Sequence, residues 1–167
     1  MNRTSSVNRT GGFTLIEIMV VVLILAVAVG LIGVNLGRGE TDRVREEADR
    51  LVLLLQAARE RAILDGQVLA VQFSSDGYRF LQLDARGRLT PIAGDDVLSQ
   101  RRLPEGVQLT AAAESALPGS DAGLLFEPSG VLPEFTLSLR SGAAVWQAQG
   151  TADGTIRSLP PGSAHAG

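Results

Sequence analysis

The residues whose types and spacing suggest chemistry lie near the N-terminus, in the stretch Gly11-Gly12-Phe13-Thr14-Leu15-Ile16-Glu17. A cut after Gly12 creates a new ammonium group at Phe13, and Glu17 becomes the fifth residue of the product. An ionised carboxylate in hydrocarbon costs about 2.5–3.5 kcal/mol on insertion scales, so it is seldom without a role. An ammonium and a carboxylate on different copies of the segment could neutralise each other and fix the register between copies. If the chain is cut between Gly12 and Phe13, the spacing therefore favours an intersubunit charge-pairing role for Glu17.

A long apolar helix is the element that must hold Glu17. Seventeen residues from Ile18 to Val34 carry no charge, and extending back to Phe13 gives twenty-two residues interrupted only by Thr14 and Glu17. A helix of that length spans about 33 Å, which matches a bilayer core of about 30 Å. We therefore expect a single transmembrane helix at 13–34.

The first twelve residues are basic: they carry Arg3 and Arg9 and no acidic residue. Positive charge before a span keeps that end cytoplasmic, so the rest of the chain is expected to be exported. A conventional signal peptide or an ordinary single-span anchor is the generic alternative, and Ala26-Val27-Ala28 offers the small-x-small form of a signal-peptidase site. The position of Glu17 beside Gly12 and Phe13 argues against that alternative and for a short leader at 1–12.

The sequence from Gly12 to Glu17, followed directly by an apolar helix, resembles the class III signal of type IV pilins and type II secretion pseudopilins. The resemblance implies that a prepilin peptidase cleaves after Gly12 and N-methylates Phe13. It also implies that Glu17 pairs with the N-terminal ammonium of an adjacent subunit, and that the chain is a filament subunit in the inner membrane.

The composition excludes most enzyme classes. Among 167 residues there is no cysteine and no lysine, and the only histidine is His165, close to the C-terminus. Thiolate zinc sites, cysteine nucleophiles, Schiff-base lysines and multi-histidine metal sites are therefore absent. We expect no catalytic residue, no cofactor and no metal site. Asp95-Asp96 is interpreted as a solvated loop pair with only a small prior for calcium, and Arg101-Arg102 as a solvated surface pair.

Nucleic acid is not an expected partner, because residues 66–167 contain seven arginines and ten acids, a net charge of -3. DNA binding normally needs a basic surface.

The segment at 35–65 is predicted to continue the helix and to end before Gly66, a natural C-terminal stop. Glycines around Asn35–Gly39 suggest a softened or locally unwound stretch. Beyond it, apolar residues recur with 4-3-4-3-4 spacing and form one stripe: Val44, Ala48, Leu51, Leu55, Ala58 and Ala62. The run Leu51–Leu55 exceeds one stripe, which suggests packing under the chain's own sheet with neighbouring subunits covering the remainder; the alternative is a helix wholly inside one domain.

The pattern from Gln67 onward predicts a periplasmic β domain at 66–159 and a disordered tail at 160–167. A hairpin is predicted from the strands 68–73 and 78–83, and further strands are expected at 107–110, 123–127, 135–140, 143–149 and 155–158. The stretch 91–118 is rich in Ala, Asp and Ser and is predicted to be mostly irregular. The expected fold class is α+β: a pilin-like lollipop with a long N-terminal helix packed on a small antiparallel β domain.

The C-terminal half carries a second resemblance. Phe126-Glu127-Pro128-Ser129-Gly130 followed by strand, Ser-Gly turn, strand and Asp-Gly turn is similar to the GspH/FimT family of minor pseudopilins and minor pilins. The resemblance implies that Phe126, Gly130, Phe135 and Trp146 are core and turn residues and form no site.

Three hypotheses follow from these resemblances and from the composition. The first is a minor pseudopilin near the tip of a type II secretion pseudopilus, whose implied partners are other pseudopilins (minor I, J and K types and the major G type) and prepilin peptidase. The second is a minor type IV pilin acting in pilus initiation, adhesion or DNA uptake. The third is a periplasmic binding module with a conventionally processed N-terminus.

Overall fold

A computed structural model describes residues 15–92, 94–113 and 123–163, with backbone only at 27–38 and 113. The chain divides into two compact units, Met1–Leu36 and Gly37–Gly167. The predicted cleavage site between Gly12 and Phe13 lies outside the described residues.

The first element is α1 (Leu15–Asp65), a helix of 51 residues that contributes to both units. The predicted unwinding near Asn35–Gly39 is wrong, because this stretch is helical. Each glycine costs about 1 kcal/mol in a helix, but propagation adds a hydrogen bond for every residue fixed, so helix on both sides carries the structure through. The predicted end is confirmed: α1 stops at Asp65, and Gly66 takes the left-handed conformation with φ of 63°.

Nine strands follow the helix in the described part of the chain. They are β1 (Leu69–Ser74), β2 (Gly77–Leu83), β3 (Leu89–Pro91), β4 (Arg101–Arg102), β5 (Gln108–Ala113), β6 (Gly123–Phe126), β7 (Phe135–Ser141), β8 (Ala144–Gly150) and β9 (Ile156–Leu159). The predicted hairpin is confirmed, with Ser74 paired to Gly77 and a loop of two residues between them. The five later strands also lie within one to three residues of their predicted bounds.

The strands form two antiparallel sheets. The first has the order β3-β2-β1-β6, with β4 also paired to β2, and the second has the order β5-β7-β8-β9. Leu69 pairs with Gln82 and with Phe126 in the first sheet, and Leu137 pairs with Ala111 and Ala148 in the second. The predicted α+β class is therefore confirmed. Strands that follow each other in the chain across a tight turn are paired with each other.

One face of α1 closes the core of the second unit. All six residues of the predicted apolar stripe are fully buried: Val44, Ala48, Leu51, Leu55, Ala58 and Ala62. They form one cluster with inward-facing residues of both sheets, among them Val71, Phe80, Leu137 and Leu139. Burying a leucine side chain is worth about 1.5–3 kcal/mol, so this stripe is a principal link between helix and sheets.

The residues assigned to core and turn positions hold those positions. Phe126 and Phe135 are buried, and Trp146 packs partly buried against the same cluster. Gly130 has φ of 75° in a turn closed by its amide, which donates to the Glu127 carbonyl at 2.9 Å. The interpretation of these four residues as structural is confirmed.

The stretch 91–118 is more ordered than its composition suggests. It contains the end of β3, all of β4 and all of β5, although residue 93 and residues 114–122 lie outside the described chain. The prediction missed β3 and β4 because strands of three and two residues carry too few positions for an alternating pattern. In the predicted tail, Pro160–Ser163 forms a turn in which the Ser163 hydroxyl donates to the Pro160 carbonyl at 2.7 Å; residues 164–167 lie outside the description.

Candidate assembly surfaces

The first candidate surface is the apolar helix segment Leu15–Leu25, here named the N-terminal apolar surface. Every large aliphatic side chain in it is exposed, from 45% for Val21 to 81% for Leu15. Side chains of this kind on all sides of a helix indicate burial against something other than the chain's own fold. No helix among the residues described with side chains is long and apolar enough to count as a membrane span. The predicted span 13–34 extends beyond those residues at both ends, so it stays a prediction.

Glu17 lies in the first described turn of α1, between exposed aliphatic residues. Its side chain is exposed, and so are the aliphatic side chains on either side of it. A carboxylate in this position is what the charge-pairing prediction requires. Its predicted partner atom, the ammonium nitrogen of a cleaved Phe13, belongs to a residue outside the description.

A buried ion pair fixes the other half of α1 to the first sheet. Glu47 is 8% exposed, and both of its oxygens accept from Arg101 on β4, from Nε at 3.1 Å and from Nη2 at 2.6 Å. The Glu47 carboxylate raises the pKa of the Arg101 guanidinium, so this arginine stays charged. The interpretation of Arg101 as a solvated residue is therefore wrong: the pairing of β4 with β2 brings its side chain, which is 31% exposed, against Glu47.

Beside this ion pair lies Tyr78, which is 2% exposed and whose hydroxyl has no hydrogen-bond partner within the described chain. Burial raises the pKa of the Tyr78 phenol to about 12, and the positive charge of Arg101 opposes part of that rise. The ring packs edge-on against Phe80 with centroids 5.9 Å apart.

Polar contacts also hold α1 to the second sheet and its turns. Gln56 Nε2 donates to the Ile156 carbonyl at 2.8 Å, and Arg59 Nε donates to the Gly130 carbonyl at 3.0 Å. The Ser158 hydroxyl donates to Asp49, and the guanidinium of Arg45 lies 5.6 Å from the centre of the Trp146 ring. These contacts define which face of the helix the sheets occupy and leave the opposite face open.

The open face of α1 is the second candidate surface, here named the outer helix face. It lies opposite the buried stripe and consists of five exposed residues: Asp42, Glu46, Leu53, Glu60 and Leu64. Leu53 is 65% exposed and Leu64 is 76% exposed, whereas Leu51 and Leu55 are fully buried. The chain's own sheets thus cover most of the predicted Leu51–Leu55 excess but leave Leu53 uncovered. That neighbouring subunits cover it stays a prediction.

The acidic pair Asp95-Asp96 has divided roles. Asp95 accepts from the backbone amides of Val97 at 2.7 Å and Leu98 at 2.9 Å, and it forms an ion pair with Arg61. Through these contacts Asp95 stabilises its loop and links it to α1. Asp96, in contrast, is exposed. Within the described ranges, no group of three or more metal-ligating side chains is close enough to hold a metal ion.

Sequence reasoning missed the contacts made by the short strand β4. Nothing in the local pattern pairs Glu47 with Arg101 across 54 positions. The sequence clue to this pair was the glutamate at position 47, directly beside the apolar stripe. An unpaired carboxylate there would be costly in free energy.

Comparison with known proteins adds to this geometry. The family model described as "Type II transport protein GspH" matches residues 47–154, and the model of the prokaryotic N-terminal methylation motif matches residues 7–33. Type II secretion system protein H of Pseudomonas aeruginosa is 39% identical over 101 residues, which cover 59% of this chain and 56% of that protein. Its counterpart in Aeromonas hydrophila is 28% identical over 149 residues, covering 79% of this chain and 81% of that protein.

A solved structure shares both fold and sequence with the chain. The minor pseudopilin EpsH of the Vibrio cholerae type 2 secretion system superposes with a TM-score of 0.61 and 29% identity. The match covers 74% of this chain and 98% of EpsH. Because the GspH model covers more than half of the residues, including most of the buried stripe and the strands β1 to β8, the chain belongs to the type II transport protein GspH family.

Proposed function

We propose that the chain is a structural minor pseudopilin that takes part in the pseudopilus of a type II secretion system, the filament that drives export of folded periplasmic proteins. The observation that carries the proposal is the presence on one chain of the methylation motif at 7–33 and the GspH domain at 47–154. The curated relatives carry type II secretion names, which supports this function over the alternative of a minor type IV pilin.

The N-terminal part of the proposal concerns maturation and anchoring. Prepilin peptidase cleaves after Gly12 and methylates Phe13, and the apolar helix at 13–34 anchors the mature chain in the inner membrane with the β domain in the periplasm. The all-round exposure of Leu15–Leu25 supports this proposal, since these side chains have no cover within the described chain.

The second part concerns assembly. Glu17 pairs with the ammonium of Phe13 on an adjacent subunit, and the outer helix face packs against helices of neighbouring pseudopilins of the minor I, J and K types and the major G type. The exposure of Leu53 and Leu64 opposite the buried stripe supports this arrangement. The charge pair offsets the cost of a carboxylate in a low-dielectric setting only when both partners are present.

The experiment is a gene replacement in the bacterium that encodes the chain, with Glu17→Ala, Glu17→Gln and the matched control Glu105→Ala. Export of a type II substrate is measured in the medium, and partner recovery is measured by co-purification from membranes. Both Glu17 variants are expected to insert and to be processed at least as well as wild type, because the buried charge is gone. Both should join the complex poorly, whereas Glu105→Ala, exposed in the turn before β5 and outside both candidate surfaces, should behave as wild type in processing, partner recovery and export.

Three outcomes contradict parts of the proposal. Normal partner recovery and normal export by both Glu17 variants would show that the carboxylate is merely tolerated. Loss of processing would place the role of Glu17 in peptidase recognition. A gene deletion that abolishes pilus-dependent motility and leaves export intact would assign the chain to a type IV pilus.

A further inference from the structure

A polar cavity of about 270 Å³ opens on the first sheet beside the β1–β2 hairpin, and we name it the hairpin pocket. Its lining residues are Gln72, Phe73, Ser74, Asp76, Gly77, Tyr78, Arg79, Gln100, Arg101 and Arg102. A water molecule occupies about 30 Å³ of liquid, so the space admits a side chain of ordinary size.

Strand register places two arginines on the same face of this sheet. Gln72 pairs with Arg79 across β1 and β2, and Gly77 pairs with Arg102 across β2 and β4. Positions 77 and 79 are two apart on β2 and lie on the same face of the sheet, opposite the face that buries Tyr78. Arg102 is paired with position 77 and therefore shares that face with Arg79. Arg79 and Arg102 are both exposed and therefore reachable from outside.

One of the two guanidinium groups is held by a neighbouring side chain, and neither is paired with an acid among the described residues. Arg79 Nε donates to Gln72 Oε1 at 2.6 Å, which orients the group while leaving its terminal nitrogens available. Neither Arg79 nor Arg102 takes part in any ion pair found among the described residues. Asp76 is the acidic residue of the lining, and its Oδ1 accepts from the Ser74 hydroxyl at 2.9 Å.

Gly77 forms the part of the lining between the arginines. A Cβ built there would lie 2.3 Å from the Arg101 carbonyl oxygen, so only glycine permits the close approach of β4 to β2. That approach brings Arg102 over the hairpin and leaves the floor of the cavity free of a side chain. The neighbouring Arg101 shows what such a group selects: turned to the other face, it binds the Glu47 carboxylate with two nitrogens.

We infer that the hairpin pocket binds a carboxylate side chain of a partner protein, gripped between Arg79 and Arg102. A single carboxylate suits the site better than a polyanion, because residues 66–167 have a net charge of -3 and would repel a nucleic-acid backbone. This inference goes beyond the proposed function, and its first test does not depend on it.

The first test is a titration of the full-length chain in detergent micelles with N-acetylglutamate methylamide, which carries one carboxylate. The signals of ¹⁵N-labelled arginine Nε groups are followed by nuclear magnetic resonance. The Nε signals of Arg79 and Arg102 should shift together with one saturating curve, and those of Arg86 and Arg157 should not saturate. Arg102→Gln should weaken binding about tenfold, because it removes the charge of one of the two groups that hold the carboxylate, whereas the matched Arg86→Gln should leave it unchanged.

The same titration can overturn the assignment. An equal, non-saturating response at all arginines would mean that Arg79 and Arg102 are merely solvated. Inorganic phosphate that binds more tightly than the carboxylate probe and displaces it would identify a phosphate site instead.

The second test uses the absence of lysine from the sequence. Arg102→Lys places a single side-chain amine in the pocket, and a carbodiimide then joins it only to a carboxylate in direct contact. In membranes containing the assembled complex, cross-linking of residue 102 to an acidic residue of one other subunit is expected, and the matched Arg86→Lys should give none. A cross-link from residue 102 to Asp76 of the same chain would show that the pocket is closed by its own acid, and would sink the inference.

Discussion

Two regions of α1 contain similar aliphatic residues and have opposite surroundings. In the N-terminal apolar surface Leu23 is 64% exposed and Ile24 is 61% exposed, whereas in the second region Leu51 and Leu55 are fully buried. The second region has two sheets to pack against, and its polar flanks are fixed by contacts such as the Glu47–Arg101 pair. The first has no such cover within the described chain. Burial of aliphatic side chains is favourable in both regions. In the second region the chain's own sheets bury them, whereas in the first region an outside partner would have to do so.

The largest effect is expected from substitutions that block maturation, which acts on the residues just before the N-terminal apolar surface. We predict that Gly12→Val stops cleavage, because a branched side chain denies the peptidase close access to the backbone, and that Gly12→Ala retains part of it. Intact mass spectrometry of the membrane fraction measures the result, with Gly11→Val as the matched control. A wild-type chain that starts after Ala28, or that keeps Met1, would refute the pilin-like maturation.

Separating the two regions tests their independence. We predict that the chain from Gly37 onward is soluble and folded, since the core cluster lies entirely within that unit. Circular dichroism should show combined helix and strand signals with cooperative thermal unfolding. A mostly disordered spectrum would mean that the first region is required for the fold of the second.

Leu51 and Leu53 are two positions apart in α1 and differ in burial, so their substitution should affect stability differently. Leu51→Ala should lower the free energy of unfolding by about 2–5 kcal/mol, because it leaves a cavity in a fully buried site. Leu53→Ala should change it by no more than about 0.5 kcal/mol, since this side chain is 65% exposed. Urea unfolding of the chain from Gly37 measures both. Equal effects would contradict the assignment of Leu53 to the outer helix face.

Tyr78, on β2 in the second unit, allows a smaller test of burial, because it is the sole tyrosine and the chain has no lysine or cysteine. Phenolate absorbance of the folded chain from Gly37 should titrate at about pH 12, against about pH 10 in urea. The raised pKa means that the folded state holds the proton more tightly. Stability is therefore retained below about pH 10 and falls by about 2 kcal/mol as the pH rises to about 12.

The matched variant is Tyr78→Phe, which removes a buried hydroxyl that has no hydrogen-bond partner among the described residues. It should abolish this alkaline loss and raise stability at neutral pH by about 1 kcal/mol. A phenol that titrates at its ordinary pH in the folded chain would show that Tyr78 is open to water.

The sequence by itself determined those features whose cause is local. The stripe from Val44 to Ala62 follows from helical periodicity, and the end of α1 follows from the left-handed conformation that Gly66 adopts at little cost. The β1–β2 hairpin follows from two strand-like apolar runs separated by a short Gly-ended turn. Membership of the GspH family was likewise readable from motifs at both ends of the chain.

The tertiary structure alone decided which charged residues meet. Arg101 and Arg102 are adjacent in sequence, yet one is paired to Glu47 beneath the sheet and the other is exposed beside Arg79. The positions of both side chains depend on β4, a strand of two residues that pairs with β2 at the close approach that Gly77 permits. Long-range charge pairing of this kind has no periodic signature, because it depends on the angle at which distant segments cross. For that reason the ion pair and the hairpin pocket became visible only once the chain was folded.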